Sequence, residues 1–347
     1  MPVLTVWTHS FSPGFPGAEE IRAAFTQWDA QAYLHLARQG YPSSGEEMRY
    51  NGFLPGYPGL VALVAVVVRD PLVAGLLVSA GFGFVALVWC GRLVAAERSR
   101  ADGRFAIWLL ALWPLAFFLS AVYSESVFIA CAAIALVQAR HGSRAVACAA
   151  AAAACTVRVP GLALLAPLAI EQVRRHGWRP DGGWLGILVV PLPLVGFGLA
   201  LWLRTGDALA YFHAQASPSY NHILGAPWTG LLTDLHRLGS RSPATLTYVW
   251  FFEVVFGVAG LLLCGLLWVW PGLPRSYAAY AAGIWLLSTS ATVWLSVPRY
   301  ELALLPVLIV AADLTRRHPT ARTALLGISA GLLAFGAGLY ATGRWLG

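Results

Sequence analysis

Four ionic residues stand out because almost everything around them is apolar: Asp29, Glu125, Arg158 and Arg299. A charge that survives near lipid is costly, and it marks a functional candidate. Asp29 follows Trp28 in a stretch, residues 19–38, that reads as one helix with Ile21, Phe25, Trp28, Ala32 and Leu36 on a single face. Asp29 falls at the edge of that face, one turn from Tyr33. An interfacial helix of this kind offers a carboxylate where a lipid headgroup sits; a solvated Asp on an amphipathic helix is the plainer alternative. Tyr123-Ser124-Glu125-Ser126 puts Glu125 at a membrane edge between two apolar stretches, either facing a site or serving as a first-turn acid behind a Ser124 N-cap. Arg158 is alone in the apolar residues 144–170, next to Pro160 and Gly161. Broken helices at membrane depth line cavities, and a guanidinium suits phosphate oxygens. Snorkelling to the interface would also explain it. Pro298-Arg299-Tyr300-Glu301 closes another apolar stretch, with a surface Arg299–Glu301 pair as the simple explanation.

Other polar segments carry weaker signals. Phe53-Leu54-Pro55-Gly56-Tyr57-Pro58 is a rigid turn that delivers the chain into an apolar piece. Residues 204–246 mix Tyr211, Phe212, His213, Tyr220, Asn221, His222 and Trp228, a set able to stack on and hydrogen-bond a sugar and equally ordinary for a loop facing a membrane. His213 and His222 lack metal-ligand spacing, as do the five cysteines, which sit in apolar stretches and read as small buried hydrophobes. No Walker loop, GxSxG or HExxH motif is present.

The elements that must hold these residues follow from composition. The chain has 347 residues, 58% of them hydrophobic and 11% charged. A soluble domain carries about 25% charged residues, so a soluble globular protein, a disordered chain and a disulfide scaffold are excluded. The expected fold is all-α: a single polytopic membrane domain of about ten crossings. Long apolar stretches fall at 71–95, 105–122, 124–140, 184–203, 247–270, 277–297 and 323–346. Residues 144–170 read as two short helices meeting at Pro160-Gly161, residues 301–314 as a further short one, and residues 57–68 as an interfacial or re-entrant helix. All 23 basic residues are Arg, spread through short gaps rather than clustered, which excludes nucleic acid as a partner. With residues 20–69 outside the cytoplasm, thirteen arginines and five acids fall in the short inner loops 92–104, 140–144, 171–181, 275 and 313–322, the asymmetry of the positive-inside rule. Residues 1–54 then lie outside with no spanning helix before them, and Met1–Trp7 is too short to be one, so a first helix is expected upstream of this chain.

Together these islands resemble the PIG-V-like mannosyltransferases of the GT-C superfamily, the family of the GPI mannosyltransferase 2 enzymes. Trp28-Asp29, Tyr33-Leu34, Leu36-Ala37 and Gly40-Tyr41 match WDxxxYLxIAxxGY; Phe53–Pro58 is similar to FFPLYP, departing at Leu54 and Gly56; Tyr123–Ser126 matches YSES. Arg158 with Gly161 looks like TRSxG, departing at Val157, Val159 and Pro160, and Arg299-Tyr300 is similar to a late RY pair. The motifs run in family order over residues 25–310. The resemblance implies transfer of mannose from a polyprenyl-phosphate donor to a lipid-linked or membrane-associated acceptor on the extracytoplasmic face of the cell membrane, with Asp29 as the key acid. The lack of Lys and the heavy use of Ala, Arg and Gly suggest a GC-rich bacterial genome, where a GPI substrate is not expected. Transfer needs a base for the acceptor hydroxyl, charge for the departing phosphate, and a sugar held in line. On that reading Asp29 is the base or orients the acceptor, Arg158 and Arg299 hold the donor phosphate, Glu125 and Tyr123 bind sugar hydroxyls or organise the arginines, and Trp28, Tyr33 and Tyr300 contact sugar or acceptor. A single displacement inverts the anomeric centre. No cofactor is expected, and a divalent metal finds no support, because Asp29 has no acidic partner nearby apart from Glu46 and Glu47. A lipid or sugar carrier using the same cavity, and a non-catalytic scaffold subunit, are the competing readings.

Overall fold

The computed structural model describes residues 17–179, 181–240 and 244–344; the expectation for Met1–Trp7 lies outside them. The described residues are helical, with one isolated bridge between Leu224 and Ala291 as their only strand-like pairing.

The N-terminal part comprises α1 (Ala18–Phe25), α2 (Asp29–Gln39) and α3 (Gly56–Val68), the last preceded by a 3-10 turn at Glu46–Gly52. α4 (Pro71–Glu97) starts on an Asp70 cap whose carboxylate accepts from Leu72 and Val73 N–H. Then follow α5 (Arg100–Ala111), α6 (Glu125–His141), α7 (Arg144–Val157) and α8 (Leu165–His176). α9 (Gly182–Val189) and α10 (Leu192–Thr205) together make one crossing-length unit; α11 (Ala210–Gln215) and α12 (Pro227–Gly239) occupy the long polar segment. α13 (Ala244–Val269), α14 (Arg275–Thr289), α15 (Val297–Tyr300), α16 (Val307–Thr315) and α17 (Pro319–Ala341) complete the bundle.

Among the described residues, four helical stretches are long and apolar enough to cross a membrane: Pro71–Glu97, Gly182–Thr205, Thr247–Val269 and Pro319–Ala341. A fifth is reached if the pair Glu46–Gly52 and Gly56–Val68, bent by 104°, counts as one broken span, the geometry expected of a re-entrant piece. Their apolar side chains, such as Leu77, Phe84, Val195, Leu262 and Phe335, remain exposed, as lipid-facing surfaces require. Several expected spans are built differently. Residues 105–122 do not form one helix: α5 stops at Ala111, because Pro114 cannot continue the ladder, and the chain turns through residues 112–124. The stretch 277–297 is helical only to Thr289. Residues 19–38 are two helices rather than one, broken at residues 26–28. The break expected in residues 144–170 is present between α7 and α8.

α6 is the axis of the core. Most of its residues are buried, and its alanines let α4, α7 and α8 pack closely around it. It begins at Glu125 and ends at His141, so its ends are about 24 Å apart at 1.5 Å per residue. The short arginine-bearing loops gather at the His141 end. There Arg140 bonds Glu97 and Glu171, Arg98 bonds Asp313, and Arg316 and Arg322 bond Asp102.

Candidate functional site

At the other end of α6 four chain segments deliver the four singled-out charges to one place. Asp29 heads α2, and Trp28 before it adopts φ 48°, ψ −120°, a backbone region that a bulky residue enters only under strain. Nothing in residues 26–28 is a Gly or Pro; the kink is held from outside, by the Tyr123 hydroxyl donating to Gln27 O at 3.3 Å. Glu125 is the first residue of α6. The cap expected of Ser124 is not made; its Oγ instead accepts from the Tyr33 hydroxyl at 2.9 Å. Arg158 is an extended residue between α7 and the 3-10 turn at Val159–Leu164. That turn folds back so tightly that a Cβ at Gly161 would stand 2.7 Å from Cys155 N, so no larger residue fits. Arg299 lies in α15.

The four form an unbroken chain of ion pairs. Arg299 Nη1 donates to Asp29 Oδ2 at 2.7 Å, Arg299 Nε lies 3.0 Å from Glu125 Oε1, and Arg158 Nη1 bonds that same Glu125 oxygen. The surface Arg299–Glu301 pair is therefore not formed: Arg299 is buried, and Glu301 turns away toward Gly260 of α13. Arg158 does not snorkel. Its guanidinium lies 4.3 Å from the Tyr300 ring centre, and Arg299 lies 5.3 Å from that of Tyr123 and 5.6 Å from that of Phe118. Asp29 is the most open member, with 15% of its side chain exposed against 3% for Glu125.

A small, open recess is lined by Glu125, Arg158, Pro160, Ser288, Arg299 and Tyr300, among others, while Asp29 is held beside it by Arg299 and does not line it. Glu125 Oε2 and Ser288 Oγ are buried there without a hydrogen-bond partner. Buried polar atoms are nearly always satisfied, and an exception at a recess is where a ligand hydroxyl finds a vacant partner. Trp28, Tyr33 and Tyr123 do not line the recess. They support its walls: Tyr33 packs against Phe53 and Tyr57, with ring centres 5.1 and 4.8 Å away, and Trp28 lies 5.4 Å from Tyr340.

His222 also belongs to this end, and no spacing in the sequence signals it. Its loop is fixed by His222 N–H donating to Gln215 O and by Thr292 N–H donating to Ile223 O, each at 2.8 Å. Its Nε2 is buried without a partner. Burial, then the charges of Arg299 and Arg158, push its pKa below the ordinary histidine value, so the imidazole is neutral at pH 7. Among the described residues, no group of three or more His, Cys, Asp or Glu side chains is placed to hold a metal ion.

No protein-family profile matches the chain, and none of the curated proteins does. Among solved structures, the Archaeoglobus fulgidus oligosaccharyltransferase, in complex with zinc and sulfate, superposes with a TM-score of 0.45 and 10% identity. The match covers 97% of this chain and 50% of that one, so the chain spans half the length of that protein.

Proposed function

We propose that this chain is a polytopic membrane glycosyltransferase of GT-C type, with about ten crossings, that moves a mannosyl residue from a polyprenyl-phosphate donor to a lipid-linked or membrane-associated acceptor. The observation that carries the proposal is the convergence of Asp29, Glu125, Arg158 and Arg299, distant in sequence, into one ion-pair chain at one end of the bundle, with the last three lining one recess. The arginine-rich loops at the opposite end of α6 favour an extracytoplasmic recess.

In the proposed reaction the acceptor oxygen attacks the anomeric carbon while the bond from that carbon to the phosphate oxygen breaks. The acceptor proton passes to Asp29, the more accessible of the two carboxylates. Charge growing on the departing phosphate is met by Arg158 and Arg299. Both guanidiniums now engage Glu125, so the phosphate competes with that carboxylate for them. Glu125 Oε2 and Ser288 Oγ are then the groups available to sugar hydroxyls. Trp28, Tyr33, Tyr123 and Tyr300 shape the site around them. One displacement inverts the anomeric centre.

The test is transfer from labelled polyprenyl-phosphate-mannose in membranes containing the full chain. Asp29→Asn is expected to reduce transfer by at least about 100-fold, the usual worth of a general base, with folding retained. Near-normal transfer in that variant removes Asp29 from the mechanism. Labelled sugar crossing the membrane without a new glycosidic bond makes the protein a carrier, a reading disfavoured by the position of the charges at a helix end rather than at mid-helix.

A further inference from the structure

The segment that presents Arg299 has little regular structure of its own. After α14 the chain runs irregularly through residues 290–296, and α15 is a single turn. Ser296, just before it, sits at φ 71°, ψ 16°, the left-handed region that costs a non-glycine residue energy. Such a conformation persists only where its surroundings impose it.

One face of α13 does so. Glu253 is buried, and its two carboxylate oxygens each accept a backbone N–H: Ser296 at 2.7 Å and Val297 at 2.8 Å. The Ser296 carbonyl in turn accepts from the N–H groups of Arg299 and Tyr300, each at 3.1 Å. Ser296 is therefore pinned on one side by Glu253 and on the other by the residues of the site. One turn along α13, Gly257 leaves room for the Trp294 ring, and Gly260 leaves room for the Glu301 carboxyl; a side chain at either glycine would collide with them. Trp294 is buried, and its Nε1–H donates to Thr289 O at 3.0 Å. Glu253, Gly257 and Gly260 thus form a mould for residues 294–301.

We infer that Glu253 is a positioning residue that sets Arg299 against Asp29 and Glu125 by holding the Ser296–Val297 amides. Its link to donor binding rests on the phosphate role proposed for Arg299. A carboxylate is the group that accepts two amides at once; a glutamine has one acceptor oxygen and brings its NH₂ group against the second N–H.

The experiment measures binding of farnesyl phosphate, with farnesol as the uncharged control, to the full chain in detergent. Arg299→Ala, Glu253→Gln and the double variant are compared with the wild type, together with hydrogen exchange over residues 294–300. Glu253→Gln is expected to weaken farnesyl phosphate binding about tenfold or more, the worth of one charge-assisted hydrogen bond. It should leave farnesol binding unchanged and speed exchange at residues 294–300 but not along α6. The double variant should bind no more weakly than Arg299→Ala, since both act through one group. Wild-type affinity in Glu253→Gln, additive losses in the double variant, or unchanged exchange at residues 294–300 would each overturn the inference. If Arg299→Ala itself binds farnesyl phosphate normally, the phosphate role of Arg299 falls, and the exchange measurement decides the positioning role by itself.

Discussion

Both ends of α6 carry networks of ion pairs, and the two differ in how completely the charge is satisfied. At the His141 end, Glu97 accepts from Arg140, His141 and Tyr277, and Glu171 accepts from Arg140, Arg174 and Ser276. Asp102 accepts from Arg316, Arg322 and Ser99, and Asp313 from Arg98 and Trp270. Every one of these carboxylates has several donors, and none borders the recess. At the Glu125 end, one oxygen of Glu125 serves two arginines while the other has no partner, and Ser288 and His222 each present an unsatisfied buried atom. A network that is complete ties helices together. One left incomplete beside a recess is free to take a further hydrogen-bond donor, as the proposed reaction asks of Glu125. The presence of ion pairs does not separate the two; the unsatisfied oxygen of Glu125 does.

The sharpest way to break this comparison is to neutralise one acid at each end. Glu125→Gln is expected to cost about 100-fold or more in glycosyl transfer, because both guanidiniums lose the carboxylate that orients them. Its effect on thermal stability should be smaller than its effect on transfer; equal collapse of both would make the Glu125 end structural as well. Glu97→Gln is expected to do the reverse. It should lower stability by about 2 kcal/mol, the cost of weakening buried charge-assisted bonds, and leave the donor KM unchanged. A raised donor KM in that variant would erase the distinction between the ends.

A smaller effect sharpens the point. Asp234, on α12, is buried with its nearest cation, Arg237, 3.8 Å away, and burial raises its pKa to about 7. Between the ordinary aspartate value and about 7 the folded chain binds a proton that the unfolded chain releases. Its contribution to stability is therefore present in full at low pH and lost as pH rises through about 7. Asp234→Asn should remove that slope, raising stability relative to the wild type at pH 8 by roughly 1–2 kcal/mol, with the two proteins converging near pH 4. Parallel thermal midpoints for the two proteins from pH 4 to pH 8 would show that Asp234 is paired or hydrated in solution.

Much of the helical architecture was legible because hydrophobic runs and prolines act locally. The runs behind α4, α10, α13 and α17, and the break at Pro160-Gly161, need no partner to be recognised. Pro114 marked the end of α5 as plainly, but the apolar run around it masked the signal. The kink at residues 26–28 had no local signature, because a hydroxyl from Tyr123 holds it.

The site divides in the same way. Sequence by itself marked four anomalous charges, Asp29, Glu125, Arg158 and Arg299, since an ion amid apolar residues is costly in any arrangement, but the same signal at Glu253 was missed within the apolar run 247–270. Only the tertiary structure decided their partners. It paired Arg299 with Asp29 and Glu125 rather than with Glu301 two residues away, placed His222 beside them, and gave Glu253 the amides that hold the turn. The physical reason is range. The cost of a charge depends on its immediate solvent, which composition reveals, whereas the identity of its counterion depends on which backbone segments can approach within about 3 Å, and packing alone settles that.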